Sequence, residues 1–327
     1  MPAGVHDESY DVAVIGAGPV GLATAIACQQ HGLRVVTIDQ GCICNALYRY
    51  PTNMVFFSTA ERIEIAGVPF PTLNAKPTRA EALHYYRQVA LSHRLALRLY
   101  TRVTGIAGSA GAFTVATSRG PIACRRVILA TGFFDRPVTL GVPGEDLPHV
   151  SHYFTDGHPY AAQDLVIVGG ANSAVIAALE CWRHGARVHL VHREAEFYRG
   201  VKYWLRPDIE NRIADGEITV SWQSELSAIE PGSVSLRSAA GESTLPADFV
   251  LLLTGYRSDF SWLESLGVTL NDEHQPEVDP QTFACQRAGI HLVGCVLCGE
   301  RTGDIFIENG RDHADQVAKH LAAELIR

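Results

Sequence analysis

The feature that most constrains this chain is a βαβ pattern that occurs twice. In the first copy, a strand-like stretch at residues 11–15 runs into Gly16-Ala17-Gly18-Pro19-Val20-Gly21, a helical stretch follows, and the next strand ends in Asp39. Glycines at this spacing allow a tight turn, close approach of the backbone to a pyrophosphate and close packing of helix on strand. An acid about 20 residues further on can accept hydrogen bonds from a ribose. This copy therefore predicts a dinucleotide site.

The second copy begins at residues 165–168 and continues through Gly169-Gly170-Ala171-Asn172-Ser173-Ala174 and a helix. Its second strand ends in His192-Arg193, where a site for NAD would carry an acid. Because a cation at this position pairs with a 2′-phosphate, the second copy predicts NADPH. Arg199 and Lys202 either add to the same pocket or are solvated surface charges.

Two further strand endings indicate domain boundaries. The strand at 127–130 ends at Thr131-Gly132, and the strand at 249–253 ends at Thr254-Gly255. In flavoproteins of the thioredoxin-reductase type, segments of this kind mark the crossings into and out of the NADP domain. We therefore predict an α/β, thioredoxin-reductase-like fold with two Rossmann-like dinucleotide-binding domains. The predicted FAD domain is discontinuous, 1–134 plus 256–327, and the predicted NADPH domain, 135–255, is inserted into it.

Several segments outside the glycine loops resemble one family, the bacillithiol disulfide reductases. They are YPTNMVFFSTAERIEI (50–65), KPTRAEALHYYR (76–87), ATGFFDRP (130–137), GVPGEDLPHVSHYF (141–154), HPY (158–160), VGGANSA (168–174), VKYWLRPDIENRI (201–213), TGY (254–256) and DIFIENGRDHA (304–314). These segments are not general features of dinucleotide-binding folds, and together they span nearly the whole chain. The resemblance implies a homodimer in which NADPH reduces FAD, and the reduced flavin reduces the disulfide of a small cofactor thiol.

The motifs and the resemblance together assign residues to each cofactor. The expected FAD residues are Gly16, Gly18, Pro19, Gly21, Asp39, Gln40, Asn45, Tyr50, Pro51, Thr131, Gly132, Ile305 and Phe306. The expected NADPH residues are Gly169, Gly170, Asn172, Ser173, Ala174, His192, Arg193, Lys202, Thr254 and Gly255. A helix that begins near Ile305 is expected to direct its positive N-terminal end at the flavin. Arg49 and Tyr50 are expected to line the other face of the flavin, although a core or dimer contact suits Tyr50 equally well.

The chain differs from the family it resembles in lacking the cysteine of the first glycine loop. Many bacillithiol disulfide reductases carry a cysteine just after the Gly-x-Gly-Pro of the first loop, and that position is Val20 here. The Cys-x-x-Cys of thioredoxin reductases is also missing, because residues 150–165 contain no cysteine. Reduction of protein disulfides by the thioredoxin-reductase route is therefore disfavoured.

Other side chains could supply the missing chemistry. Cys295 and Cys298 form a C-x-x-C at the end of a predicted buried strand, where they either relay electrons to a disulfide or fill a tight turn. His313 either serves as an acid or base for a departing thiolate or has a structural role. Cys42 and Cys44 form a second pair, but C-x-C with a distant C-x-x-C is not a usual zinc pattern, so we predict no metal site.

Composition restricts the partners. The net charge of −8 leaves no broad basic field, which disfavours nucleic acid and anionic membranes. The first ten residues lack the pattern of a signal peptide, and the longest apolar runs are too short to cross a bilayer. Eight cysteines in 327 residues are too sparse for a secreted disulfide scaffold. We therefore expect a cytoplasmic enzyme that acts on a small-molecule disulfide or a small redox protein.

Three functions fit these observations. The first is reduction of a low-molecular-weight disulfide. The second is a ferredoxin- or flavodoxin-NADP reductase built on the same plan, which needs no reactive cysteine. The third is a flavin-binding redox sensor without catalysis, and the intact residues 172–174 and 192–193 argue against it. The resemblance along the whole chain favours the first.

Overall fold

The computed structural model describes residues 9–326 and separates them into two compact units. The first unit holds the described residues before Arg49, together with Met54–Arg136 and the residues from Tyr256 onward. The second unit holds Arg49–Asn53 and Pro137–Gly255. Residues 1–8, which entered the signal-peptide argument, and residue 327 lie outside the described residues.

The described residues form strands and helices that we number in chain order. The strands are β1 (Tyr10–Ile15), β2 (Val35–Ile38), β3 (Ala96–Arg98), β4 (Val103–Ser109), β5 (Ala112–Thr117), β6 (Ile122–Leu129), β7 (Val150–Ser151), β8 (Asp164–Val168), β9 (Arg187–His192), β10 (Thr219–Trp222), β11 (Ser224–Glu230), β12 (Gly232–Ser238), β13 (Gly241–Ala247), β14 (Phe249–Leu252) and β15 (Ile290–Leu292). The α-helices are α1 (Pro19–Gln30), α2 (Asn45–Tyr48), α3 (Ala60–Ile63), α4 (Arg79–Ser92), α5 (Asn172–Arg183), α6 (Arg206–Ala214), α7 (Phe260–Ser265), α8 (Ile307–Gly310) and α9 (His313–Leu325). Short 3₁₀ helices cover His158–Tyr160 and Gly294–Cys298.

The first unit is built on a seven-stranded sheet in the order β3-β2-β1-β6-β5-β4, with β15 also paired to β6. β1 is parallel to β2 and to β6, so Ala13 faces Val36 on one side and Val127 on the other. Successive side chains of a strand point to opposite faces. Accordingly, Ala13 and Ile15 pack into one apolar cluster, and Val12 and Val14 pack into another. This burial on both faces explains why β1 is an unbroken apolar run.

The helices of the first unit begin where the sequence offers a suitable residue. α1 has Pro19 in its first turn, where the missing N–H costs nothing, and packs against α9. α4 starts with a capping box in which the Glu81 N–H donates to Thr78 Oγ1 and the Thr78 N–H donates to Glu81 Oε2. The bonds that the Thr78 N–H and the Thr78 hydroxyl donate to the Glu81 carboxylate lower the pKa of Glu81 to about 2.

The second unit contains a parallel sheet in the order β10-β9-β8-β14-β7 and an antiparallel sheet in the order β11-β12-β13. Leu165 and Ile167 of β8 pack with α5, while Val166 and Val168 face the cluster that contains the antiparallel strands. Both units therefore contain a parallel βαβ motif at the expected place. The predicted α/β class with two Rossmann-like motifs is confirmed.

Candidate functional site

The loop between β1 and α1 shows a different constraint at each glycine. Gly16 has φ +114°, and a Cβ there would lie 2.3 Å from the Ala130 carbonyl oxygen. A Cβ on Gly21 would lie 2.0 Å from the Gly16 carbonyl oxygen. A Cβ on Gly18, in contrast, would meet no atom within 4 Å. The first and third glycines are thus required by packing, and the open space beside the second is where a pyrophosphate can approach.

The start of α1 is open to an anion. Its N-cap is Gly18, which has no side chain to accept hydrogen bonds from the first turn. The first N–H groups of a helix lack intrahelical partners and carry partial positive charge. The twelve-residue helix therefore presents free donors beside the open face of Gly18.

Asp39 closes the other side of this loop. Its carboxylate accepts hydrogen bonds from the N–H groups of Ala17, at 2.7 Å, and Gly41, at 2.8 Å. Burial raises the pKa of Asp39, and the two hydrogen bonds oppose that change. The acid at the end of β2 thus holds the loop in place, and its unused lone pairs can accept from a ribose hydroxyl.

The remaining predicted FAD residues of the first unit lie around the loop. The Gln40 amide donates to Asp135 Oδ2 at 2.8 Å, and the Asn45 side chain would be 2.3 Å from a Cβ on Gly41. Thr131 lies beside the loop, because the carbonyl of the preceding Ala130 faces Gly16. The Gly132 carbonyl accepts a hydrogen bond from the Ser258 hydroxyl at 3.1 Å.

Tyr50 and Pro51, in contrast, belong to the second unit. The Thr52 N–H donates to the Thr155 carbonyl at 2.7 Å, and the Arg49 guanidinium lies 4.0 Å from the centre of the Tyr153 ring. These contacts place residues 49–53 with the second unit, although the sequence analysis placed them within the FAD domain.

Val20 lies in a niche lined by glycines. A Cβ on Gly294 would be 3.0 Å from Val20 Cγ1, and a Cβ on Gly310 would be 3.1 Å from Val20 Cγ2. Gly294 also has φ +74°, a conformation that favours glycine. The position at which the family carries a thiol is therefore packed against the residue that precedes Cys295. Gly294 and Gly310 could not be predicted as neighbours of Val20, because nothing local in the sequence connects them to residue 20.

The C-x-x-C is on a 3₁₀ helix. The buried strand expected before it is β15, which stops at Leu292, and Gly294–Cys298 then form the 3₁₀ turn. Both sulfurs approach the Ile305 carbonyl oxygen, Cys295 Sγ at 3.2 Å and Cys298 Sγ at 3.8 Å. The two thiols also hydrogen-bond to each other, which raises the pKa of Cys295 and lowers the pKa of Cys298. Burial raises the pKa of Cys295 further.

The helix expected near Ile305 starts later and is short. α8 has four residues and begins at Ile307. It begins there because the Asn309 side chain accepts a hydrogen bond from the Phe306 N–H at 2.8 Å, which makes Phe306 the N-cap. Ile305 and Phe306 therefore lie in the loop before α8, and Phe306 is half exposed. A helix this short cannot supply the dipole that the sequence analysis expected.

His313 is the first residue of α9 and is held by two contacts. The Gly294 N–H donates to its Nδ1 at 3.1 Å, and its ring stacks on Phe283 with 4.4 Å between the ring centres. Burial lowers the pKa of His313. A neutral ring that accepts at Nδ1 carries its proton on Nε2.

In the second unit, the glycine loop packs against the residue at the end of β9. A Cβ on Gly169, which has φ +144°, would lie 2.5 Å from the Leu253 carbonyl oxygen and 3.1 Å from the Ala174 side chain. A Cβ on Gly170 would lie 2.3 Å from His192 Nε2. The imidazole of His192 thus occupies the space that glycine leaves free.

His192 and Arg193, which form the predicted cationic strand end, differ in their surroundings. Burial lowers the pKa of His192, and its Nε2 is buried without a hydrogen-bond partner among the described residues. The exposed cation at this strand end is Arg193, which lies 3.4 Å from Glu194. The orphaned ring nitrogen and the exposed guanidinium together fit the polar end of a nucleotide.

The start of α5 is linked to the loop that carries Lys202. The Asn172 side chain donates to the Gly200 carbonyl at 3.1 Å and accepts from the Lys202 N–H at 3.0 Å. Ser173 is exposed in the first turn, and Arg199 is exposed in the same loop. At the end of β14, the Thr254 hydroxyl donates to the Val138 carbonyl at 2.6 Å, and Gly255 has φ +105°.

Residues 9–326 contain neither a metal-binding cluster nor a membrane-spanning helix. No group of three or more histidine, cysteine or acidic side chains in this range is arranged to hold a metal ion. None of the helices in this range is both long and apolar enough to span a membrane.

Known proteins resemble this chain along most of its length. The bacilliredoxin reductase Bdr of Bacillus subtilis is 38% identical over 312 residues, which cover 94% of this chain and 96% of the relative. The solved bacillithiol disulfide reductase Bdr from Bacillus cereus is 36% identical with a TM-score of 0.94, covering 97% of this chain and 100% of that chain. The resemblance recognised in the sequence is confirmed.

More distant proteins share the same plan. A ferredoxin–NADP reductase of Ignicoccus hospitalis is 28% identical over 80% of this chain and 82% of its own length. The thioredoxin reductase of T. acidophilum is 20% identical, covers 98% of this chain and 99% of its own, and has a TM-score of 0.79, which shows a shared fold. The family model described as pyridine nucleotide-disulphide oxidoreductase matches residues 13–294. The chain is a flavoprotein oxidoreductase and belongs to the pyridine nucleotide-disulphide oxidoreductase family.

Proposed function

We propose that this chain is an NADPH-dependent FAD enzyme that reduces the disulfide of a low-molecular-weight thiol, with bacillithiol disulfide as its substrate. The observation that carries the proposal is the 38% identity with a bacilliredoxin reductase over 94% of the chain. The two glycine loops support it, because each opens a twelve-residue helix whose first turn is free to bind a phosphate.

FAD is assigned to the first unit. The open face of Gly18 and the uncapped start of α1 would bind the pyrophosphate, and Asp39 would accept from the ribose. Thr131 and Gly132, beside the same loop, would border the cofactor. Tyr50 and Pro51 remain proposed flavin contacts on the strength of the family resemblance alone.

NADPH is assigned to the second unit. The first turn of α5, with Asn172 and Ser173, would bind its pyrophosphate, and Arg193 would pair with the 2′-phosphate. His192 Nε2 is a further candidate for a hydrogen bond to the nucleotide, since it is buried without a partner in residues 9–326. Lys202 would add a second cation, because its backbone is anchored to Asn172 at the start of α5.

In such an enzyme, the nicotinamide supplies a hydride and the flavin passes on the electrons. The described side chains bind and orient these groups. By the family resemblance, we also propose that the enzyme is a homodimer and acts in the cytoplasm. Light scattering of the purified protein measures its mass in solution, and a monomer would contradict the dimer.

A comparison of electron acceptors tests the function. NADPH oxidation by the purified enzyme is followed with bacillithiol disulfide, with an oxidised bacilliredoxin and with ferredoxin, each against the background reaction with oxygen. Turnover with bacillithiol disulfide supports the proposal. Turnover with bacilliredoxin alone would move the substrate from a small molecule to a protein. Turnover with ferredoxin alone would refute disulfide reduction and support the ferredoxin–NADP reductase alternative.

A further inference from the structure

The 3₁₀ turn stacks two cysteines on each other. In a 3₁₀ helix, side chains at positions i and i+3 eclipse one another. Cys295 and Cys298 have this spacing, and their thiols hydrogen-bond to each other. Both sulfurs also converge on one acceptor, the Ile305 carbonyl oxygen. The 3₁₀ turn and the shared acceptor therefore bring the two sulfurs to the same side of the turn.

This pair lies beside the position that lacks the family's thiol. Val20 contacts Gly294, the residue directly before Cys295, and the Ile305 side chain lines the same niche near Gly310. Residue 20, which lacks the family's thiol, and the turn that carries two thiols therefore lie in the same small region of the first unit.

The two thiols differ in exposure. Cys298 is only 1% exposed, whereas Cys295 is partly exposed and is thus the more accessible of the two sulfurs. The hydrogen bond from Cys295 lowers the pKa of Cys298, so one proton is shared and one thiolate is favoured. These directions place the proton on Cys295 and the negative charge on Cys298 in the resting pair. Thiol–disulfide exchange needs a thiolate that the substrate can reach, so the proton of Cys295 passes along the hydrogen bond to Cys298 as Cys295 attacks.

We propose that Cys295 and Cys298 are a redox-active dithiol that exchanges directly with the low-molecular-weight disulfide substrate. This inference rests on the proposed function. Cys295 attacks first because it is the accessible sulfur, and Cys298 resolves the mixed disulfide because it is already adjacent to Cys295.

The exchange balances in two steps. The Cys295 thiolate forms a bond to one sulfur of the substrate, the substrate S–S bond breaks, and the first thiol leaves after taking the proton held by Cys298. The Cys298 thiolate then attacks Cys295 Sγ, and the second substrate thiolate leaves and takes a proton from water. The internal disulfide returns to the dithiol on receipt of two electrons, delivered from NADPH through the flavin, and two protons.

Oxidation also changes a neighbouring loop. A disulfide has no S–H donor, so the Ile305 carbonyl loses both of its sulfur contacts when the pair is oxidised. Residues 299–306, which connect the 3₁₀ turn to α8, therefore lose part of their anchoring at Ile305 when the pair is oxidised. Hydrogen exchange of this segment should be faster in the oxidised enzyme.

The test uses the holoenzyme without turnover. The enzyme is reduced, freed of reductant, exposed to one equivalent of bacillithiol disulfide, alkylated and mapped by mass spectrometry. We expect a Cys295–Cys298 disulfide in the wild type, a bacillithiol adduct on Cys295 in Cys298→Ser, and almost no adduct in Cys295→Ser. Cys285→Ser is the matched control, because Cys285 is a buried thiol of the same unit whose Sγ donates to the Arg287 carbonyl at 3.7 Å, away from the Ile305 carbonyl. It should behave like the wild type.

The outcomes separate the two claims. If both thiols of the wild type remain fully alkylatable after exposure, and the double Cys295→Ser, Cys298→Ser variant reduces bacillithiol disulfide at the wild-type rate, the dithiol is refuted and the proposed function stands. If the wild type forms the internal disulfide but shows no NADPH oxidation with bacillithiol disulfide, the proposed function fails and the dithiol stands. Serine can still donate to Ile305, so hydrogen exchange of residues 299–306 in the double variant should no longer respond to oxidants.

Discussion

Alanine at Gly18 should separate cofactor binding from folding. Gly18 has φ −72° and ψ 173°, which alanine adopts without strain, and its Cβ would meet no protein atom within 4 Å. Replacing a glycine in a compatible conformation stabilises a protein by about 0.4–1 kcal/mol, because the unfolded chain loses freedom. Because Gly18 is also the N-cap of α1, where alanine is less favourable than glycine, the two effects oppose each other, and the variant without flavin should stay within about 1 kcal/mol of the wild type.

The cost should appear in the affinity for FAD. The added methyl group occupies the space through which the pyrophosphate approaches the loop, and one hydrogen bond to a charged group contributes about 1.5–3 kcal/mol. Loss of one such bond weakens binding by about 10- to 100-fold. Flavin fluorescence titration of the flavin-free protein measures the affinity, and urea unfolding followed by circular dichroism measures the stability.

Gly16→Ala is the matched control. Its φ of +114° and the 2.3 Å approach to the Ala130 carbonyl mean that alanine strains the fold itself. The strained φ alone costs on the order of 1–3 kcal/mol. Stability should therefore fall in this variant even without flavin. Unchanged FAD affinity in Gly18→Ala, or a loss of stability equal to that of Gly16→Ala, would refute this assignment of roles to the two glycines.

Three further predictions follow from the same structure. Arg193→Glu should lower kcat/KM for NADPH by about 10- to 100-fold and leave kcat/KM for NADH nearly unchanged, because only NADPH carries the 2′-phosphate. Equal losses for both nucleotides would contradict this role of Arg193. Thr78→Ala removes the capping box of α4 and should cost about 1 kcal/mol in urea unfolding, with FAD affinity unchanged. The free energy of unfolding should fall as the pH drops through about 6.5, because burial lowers the pKa of several histidines and the unfolded chain therefore binds protons first. Each such histidine contributes up to about 1.4 kcal/mol per pH unit. A flat profile of unfolding midpoint against pH would contradict this. The histidines concerned are His189, His192, His291 and His313.

Much of the fold could be predicted from the sequence because its signals are local. Unbroken apolar runs indicate buried parallel strands, and glycines at fixed spacing indicate the turns between strand and helix. The strand predicted at 11–15 is β1 (Tyr10–Ile15), and the strand predicted at 165–168 is β8 (Asp164–Val168). The positions of Gly16 and Gly169 at the ends of these strands follow from the same short-range pattern.

The sequence pattern could not show which side chains become neighbours. The sequence could not show that the His192 ring packs on Gly170 or that burial lowers its pKa. The start of α8 depends on one side chain, because the Asn309 amide accepts from the Phe306 N–H. Residues 49–53 group with the second unit through partners about a hundred residues away in the chain, such as Thr155.

The sequence by itself determined the two dinucleotide motifs, the family and the absence of a cysteine at residue 20. Only the tertiary structure decided that Val20 lies against Gly294 and Gly310, and that Cys295 and Cys298 share the Ile305 carbonyl. The physical reason is the range of the interactions. Backbone conformation and strand burial are specified within a few residues, whereas the niche around residue 20 exists only after β15 pairs with β6 and α9 packs on α1.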